Sequence, residues 1–203
     1  MAMWGAPEPH TNHAQLACQA ALDMIGKLAT LNARWKSTLG IPMSFGIGLN
    51  TGTAHVGNTG TPRKFKYGPL GTTVNLASRV QGATKHLRSK LLLTKHTFKE
   101  LDETLQARAR RLCMVRVIGI DDEVELYELA QPHQPAWPEW KEMYETALAE
   151  FDRMNFRQAA RTLQPLITEQ INDGPSIVLM SRAVQGLANG PAPGHPVWEL
   201  PSK

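Results

Sequence analysis

Three runs stand in order along the chain: Phe45-Gly46-Ile47-Gly48-Leu49-Asn50-Thr51-Gly52, then Val56-Gly57-Asn58-Thr59-Gly60, then Tyr67-Gly68-Pro69-Leu70-Gly71-Thr72-Thr73-Val74-Asn75-Leu76-Ala77-Ser78-Arg79. Residues 43–50 alternate large and small side chains, as a strand does. Gly46 and Gly48 weaken a strand unless a bulge or a closely approaching ligand needs them. Thr51-Gly52 and Asn58-Thr59-Gly60 are turn signals that bracket a short strand, Ala54-His55-Val56. Arg63–Tyr67 reads as its return strand. Gly71-Thr72-Thr73 then opens a helix with Leu76, Val80 and Ala83 on one face. Asn75 and Arg79 are four apart, so they share a face near its start. A helix N-terminus carries partial positive charge and free N–H groups. An amide and a guanidinium there suit a sugar and a phosphate. The same pair also fits an ordinary solvated surface.

Upstream, Thr11 or Asn12 can cap a helix running to about Thr38. Its apolar face is expected at Leu16, Ala20, Met24, Leu28, Leu31 and Trp35. Downstream, Leu91-Leu92-Leu93 reads as a short buried strand, followed by a helix near Thr97–Leu105. Residues 112–118 and 123–129 form a hairpin through Gly119-Ile120-Asp121-Asp122. Three prolines between Gln131 and Pro138 mark a linker. Beyond it the pattern is helical. Tyr144, Ala147, Leu148 and Phe151 line one helix. Phe156, Ala159, Ala160, Leu163 and Leu166 line a second that contains Pro165, and Asp173-Gly174-Pro175-Ser176 starts a third. The hairpin around Asn155 looks like one tetratricopeptide-type unit, where an array needs about three. A helical cap packed on the preceding domain explains it equally well. Trp198 and Leu200 are placed to dock on the body.

The chain has 203 residues, 42% hydrophobic and 20% charged, which suits a folded domain with an appendage rather than a disordered segment. No apolar run reaches the roughly 20 residues of a membrane span, and the opening residues do not read as a signal peptide. Cys18 and Cys113 are far apart, so neither a disulfide framework nor a zinc site is expected, and a reducing cytoplasm is the default setting. The net charge is +4, and Met24–Lys99 contains no Asp or Glu but twelve Lys and Arg. That stretch should attract polyanions, nucleotides among them. Phe65 and Tyr67 beside Lys64 and Lys66 could stack on nucleic acid; they are read instead as core and rim residues of the hairpin. His55 and His86 have no second ligand at helical spacing, so neither is assigned to a metal.

The three runs resemble, in order and spacing, the signature of class III adenylate/guanylate cyclase catalytic domains. Residues 115–119 and 124–129 resemble the last hairpin of that domain, and the tail is similar to the helical extension of some bacterial multidomain members. The resemblance implies an α/β (α+β), ferredoxin-like domain that works as a head-to-tail homodimer or heterodimer on ATP or GTP. In that chemistry the ribose 3′-OH attacks the α-phosphate, pyrophosphate leaves, and a 3′,5′-cyclic nucleotide forms. By motif, Asn75 orients the ribose and Arg79 stabilises the charge growing on the α-phosphate. Gly68, Thr72 and Thr73 fall at nucleotide-binding positions. The implied division is 1–130 partial catalytic domain, 131–138 linker, and 139–203 TPR-like extension.

The pattern also breaks. The family's two metal-binding aspartates, which hold Mg²⁺ or Mn²⁺, lie upstream of the segment matched by Met1 onward. Glu8 and Asp23 are the only acids before residue 100, and Asp23 reads as an exposed helix residue. No metal ligand is therefore expected in this chain. The domain reads as N-terminally truncated, with unpaired strand edges, poor stability and no activity alone. Gly68 stands where many adenylate cyclases carry an adenine-reading aspartate, and Thr72 where an aspartate is common, so the purine is not fixed. A pseudo-cyclase that binds nucleotide or a partner cyclase as a regulator is the alternative. A nucleic-acid module is not expected.

Overall fold

The computed structural model describes residues 1–61, 64–117, 122–131, 136–168 and 173–200. The elements run α1 (His13–Leu39), β1 (Ile47–Leu49), β2 (His55–Thr61), β3 (Lys64–Leu70), α2 (Thr72–Leu87), β4 (Leu91–Thr94), α3 (Lys95–Lys99), α4 (Glu103–Ala107), β5 (Ala109–Arg116), β6 (Glu123–Leu129), α5 (Trp137–Asp152), α6 (Phe156–Thr168), α7 (Gly174–Asn189) and β7 (Trp198–Glu199). Five strands form one sheet in the order β1-β4-β6-β5-β7, and β2 and β3 form a separate hairpin. β1 pairs parallel with β4 and β7 parallel with β5; the other ladders are antiparallel. The expected single helix at 97–105 is two short ones, each capped by its own side chain: Thr94 accepts from the Thr97 N–H and Asp102 from the Leu105 N–H.

Successive strand residues face opposite sides of the sheet. Leu91 and Leu93 enter a core with α1, whereas Leu92 enters a core on the other face with α2 and the tail helices. That second core joins Val80, Leu112, Val115 and Leu126 to Tyr144, Leu148, Leu163 and Leu179 without a break. Trp198 and Leu200 pack onto it as expected. Gln131 is the last described residue of the linker before Ala136, and α5 begins inside the expected linker, at Trp137.

Three expectations are corrected. The buried face of α1 is Ala14, Cys18, Ala21, Leu22, Ile25 and Leu28; Leu16, Met24, Leu31 and Trp35 are exposed. The helix carries two apolar stripes, and the sheet takes the one of smaller side chains, which lets the backbone approach. Its outer end is tied back by Asn32, which exchanges bonds of 2.7 and 3.0 Å with the Met43 backbone. Asn58-Thr59-Gly60 is not a turn but part of β2, seven residues long and paired from His55↔Leu70 to Thr61↔Lys64. Phe65 and Tyr67 are exposed, not core, because this hairpin stands outside the main sheet.

Gly46 and Gly48 serve a close approach, and the approaching group is α2 rather than a ligand. A Cβ on Gly48 would lie 2.2 Å from the Gln81 backbone nitrogen, and one on Gly46 would lie 2.0 Å from Thr84 Oγ1. Gly48→Ala is expected to wedge α2 off β1 and destabilise the chain by about 1–3 kcal/mol. Gly68→Ala, with nothing within 4 Å of the new Cβ, should leave the urea midpoint nearly unchanged. Equal losses for the two variants would refute the close-packing account.

Cys18 and Cys113 are buried free thiols in the cores on opposite faces of the sheet. Burial, with a smaller push from Asp102, raises the Cys18 thiol to about 12, and burial likewise raises Cys113. The thiolate is the reactive form. Neither cysteine should react with a chromogenic disulfide reagent in the native chain near pH ~8; both should react once the chain is denatured. Rapid native labelling would contradict the burial.

Candidate active site

The site is built at the start of α2. Gly71, with φ 129°, sits at its N-cap and offers no side-chain cap. The carbonyl of Gly71 accepts from the Val74 and Asn75 N–H groups. The incoming loop is stitched to this turn. Asn50 Nδ2 donates to the Thr73 carbonyl at 2.9 Å, and Asn50 Oδ1 accepts from Thr94 Oγ1 at 2.8 Å. Thr73 Oγ1 donates to the Thr53 carbonyl at 2.6 Å. The Thr73 hydroxyl thus holds the 50–53 loop, while Thr72 is exposed.

Asn75 and Arg79 lie one turn apart on the solvent side of α2, whose opposite face buries Val80, Ala83, Thr84 and Leu87. Both are exposed, and neither side chain bonds to a described residue. Two clefts flank them without including them. One, of about 480 Å³, runs from the opening residues and His13 to Thr73, Val74 and Ala77. The other, of about 470 Å³, runs from Thr72 and Leu76 to Lys95 and Glu125. Gly68 is on β3 opposite Gly57, with open space where its side chain would be. A guanidinium and an amide with free donors, at an uncapped helix start, can meet phosphate and ribose oxygens. They need a facing surface to enclose the ligand.

The second cleft carries a charge network that the sequence did not announce. Lys95 Nζ lies 2.6 Å from Glu125 Oε2, and Arg111 Nε lies 2.6 Å from Glu125 Oε1. Arg111 also reaches Asp152 of α5 at 3.0 Å. The four residues are scattered over α3, β5, β6 and α5, so no local spacing could reveal them. Burial alone would raise the Glu125 carboxyl, but Lys95 and Arg111 outweigh it and hold it below its ordinary value of 4.5. A lowered folded-state pKa stabilises above the unfolded value and is lost as pH falls through the folded one. The Tm difference between the wild type and Glu125→Gln should therefore be full above pH 4.5 and vanish in stronger acid. A difference that grows on acidification would reverse the assignment.

Among the described residues no group of three or more His, Cys, Asp or Glu could hold a metal ion. Asp23 is exposed and accepts a bond from Gln19 at 2.8 Å. His55 and His86 are exposed. No described helix is long and apolar enough to cross a membrane.

Residues 1–131 match the family described as "Adenylate and Guanylate cyclase catalytic domain". Adenylate cyclase 1 of Rhizobium meliloti (strain 1021) is 31% identical over 129 residues, which are 63% of this chain and 19% of that protein. The terminal-differentiation specific adenylate cyclase of Dictyostelium discoideum is 26% identical over 70% of this chain and 7% of its own length. The chain thus spans less than a quarter of the length of either relative. Among solved structures, the guanylyl cyclase Cya2 superposes with a TM-score of 0.55 at 28% identity, covering 65% of each chain. The adenylyl cyclase CyaB from P. aeruginosa gives 0.55 at 25% identity, covering 64% of this chain and 66% of its own.

Proposed function

We propose, for a chain that belongs to the adenylate and guanylate cyclase catalytic domain family, that it supplies the Asn/Arg half of a dimeric site making a 3′,5′-cyclic nucleotide and pyrophosphate from ATP or GTP. The observation that carries this reading is the pair Asn75 and Arg79, exposed one turn apart at the uncapped start of α2 and bonded to no described residue. Asn75 orients the ribose. Arg79 answers the negative charge that grows on the α-phosphate as the 3′-oxygen bonds to phosphorus and the bond to the pyrophosphate oxygen breaks. Gly68, Thr72 and Thr73 line the approach to the nucleotide. The open space beside Gly68 would accommodate an aspartate, so Gly68→Asp is expected to shift preference toward ATP without loss of folding.

A second subunit, the same chain or another cyclase domain, closes the site. Exposed apolar residues on the β2–β3 hairpin, Val56, Phe65, Tyr67 and Leu70, support a partner surface. The resemblance implies Mg²⁺ or Mn²⁺, hard cations that take carboxylate oxygens. The described residues do not fit such ions, so those ligands are assigned elsewhere in the assembly and no step is derived through them. We assign residues 1–130 to the cyclase portion, 131–138 to a linker and 139–203 to a TPR-like helical cap. The setting assigned is cytoplasmic.

The test mixes this chain with a cyclase domain that keeps its metal-binding aspartates but lacks its own Asn/Arg pair. Restored formation of cyclic nucleotide from ATP or GTP supports the reading. A stable complex that stays inactive would favour a regulatory pseudo-cyclase subunit instead.

A further inference from the structure

The sheet takes one apolar stripe of α1 and leaves the other uncovered. Among the described residues of this helix Leu28 is the last that is buried, so its final turns stand clear of the body. Met24, Leu31, Trp35 and Leu39 are 54%, 39%, 42% and 46% exposed, and Ile41, just past the helix, is 75% exposed. Contiguous apolar surface of this kind marks an interaction site. Asn32 ties the arm to Met43, at the entry to β1, whereas Asn50, at its exit, bonds to Thr73 at the start of α2. The arm and the Asn75/Arg79 pair therefore lie at opposite ends of β1.

The stripe has the period of a helix seam. Met24, Leu28, Leu31, Trp35 and Thr38 are spaced alternately four and three apart, as the facing positions of two coiled helices are. They cover about 80° of the circumference at 3.6 residues per turn. A helix that lies in a bilayer surface presents a broader apolar face. Lys27 and Arg34 stand one residue before Leu28 and Trp35, at the flanking positions whose charges select the partner of such a seam. Both are exposed and neither pairs with a described carboxylate. Arg34 instead lies over the Trp35 ring, 5.7 Å from its centroid. The one acid of the helix, Asp23, is bonded to Gln19 at 2.8 Å. A second copy of α1 does not complement this edge. Run antiparallel, it sets Lys27 and Arg34 against cations; run parallel, it sets them against Asn32 and Leu39, which carry no charge.

We propose that the free stripe of α1 docks an amphipathic helix of a partner protein, one with Glu or Asp at the positions that face Lys27 and Arg34. The partner sits at the end of β1 away from the start of α2, so the surface serves attachment and leaves Asn75 and Arg79 open.

The test uses the full chain and two labelled synthetic peptides of three heptads, with Leu at the seam positions and either Glu or Lys at the flanking ones, read by fluorescence anisotropy. The Glu peptide is expected to bind with a Kd of about 1–100 μM, and the Lys peptide at least about tenfold more weakly. Lys27→Glu combined with Arg34→Glu should reverse that preference. Trp35→Ala should weaken the Glu peptide by about tenfold, and Arg79→Ala should not change it. All four positions are exposed, so the Tm of each variant should stay at the wild-type value. No binding of the Glu peptide up to about 1 mM, or equal affinity for both peptides, would overturn the proposal. Sedimentation that shows the chain dimerising, with Trp35→Ala restoring the monomer, would overturn it in favour of self-association. Binding to phosphatidylglycerol vesicles that Trp35→Ala abolishes, with no binding of the Glu peptide, would overturn it in favour of a membrane surface.

Discussion

Arg110→Ala is expected to cost about 3–5 kcal/mol, the range for breaking a buried ion pair from one side. For a chain of this size that is a fall in Tm of roughly 6–20 °C. Arg110 is fully buried in β5. Its guanidinium reaches Glu128 of β6 at 2.6 and 2.9 Å, and it forks onto Asp173, the N-cap of α7. It is sandwiched by the rings of Trp137 and Tyr144, at 4.8 and 4.6 Å. Burial alone would lower its pKa, but Glu128 and Asp173 more than offset this and keep it charged. Glu128 also accepts from Ser89 at 2.7 Å, and Asp173 from both the hydroxyl and the N–H of Ser176. Removing the cation leaves two carboxylates in a dry place with half their partners. Asp173→Asn should cost less, since Glu128 still answers Arg110, although the α7 cap is weakened. A urea unfolding series settles the order. An Arg110→Ala loss below that of Asp173→Asn would show that the guanidinium is not the centre of the cluster.

Arg79→Ala should abolish rescue of a partner cyclase that lacks its own Asn/Arg pair, by about 100- to 1000-fold in kcat, as for loss of one preorganised donor to a developing charge. The side chain is exposed and bonds to no described residue, so the fold should be untouched and the Tm unchanged. That separation makes the assay readable. Lost activity with an unaltered melt assigns the loss to the reaction. Rescue that survives the substitution would remove Arg79 from the transition state.

The sequence spoke clearly where local chemistry decides. Asp173-Gly174-Pro175-Ser176 announced a helix start, and it is one: the Asp173 side chain accepts from the Ser176 N–H, and a proline stands in the first turn. Leu91–Leu93 announced a short buried strand, and in the structure its residues feed two cores, one on each face of the sheet. The sequence was silent where distant partners decide. Arg110 sits between Ala109 and Arg111 with no periodic mark, and its partners lie 18 and 63 residues away. The face of α1 could not be chosen either, because two apolar stripes compete and only the sheet selects between them. The shared face of Asn75 and Arg79 was legible because it needs nothing beyond one helix turn, whereas the roles given to them come from the family resemblance alone. The cleft of about 510 Å³ where the sheet meets the tail helices was not, since its lining comes from α1, β4, β6, α5 and α7.

The single core shared by β5, β6, α2 and the tail has a consequence for biosynthesis. β5 pairs with β7 only when Val115 meets Trp198. A chain leaving the ribosome therefore holds the outer edge of β5 unpaired, and part of the sheet's apolar face without the tail helices, until the segment around Trp198 has cleared the exit tunnel. Contacts of such long sequence separation form late, and an uncovered strand edge and apolar face are what holdase chaperones bind and what aggregates recruit. Yield in a cell should thus respond to elongation rate and chaperone supply while the stretch from α5 to Trp198 is being made, more than to any change in the finished molecule.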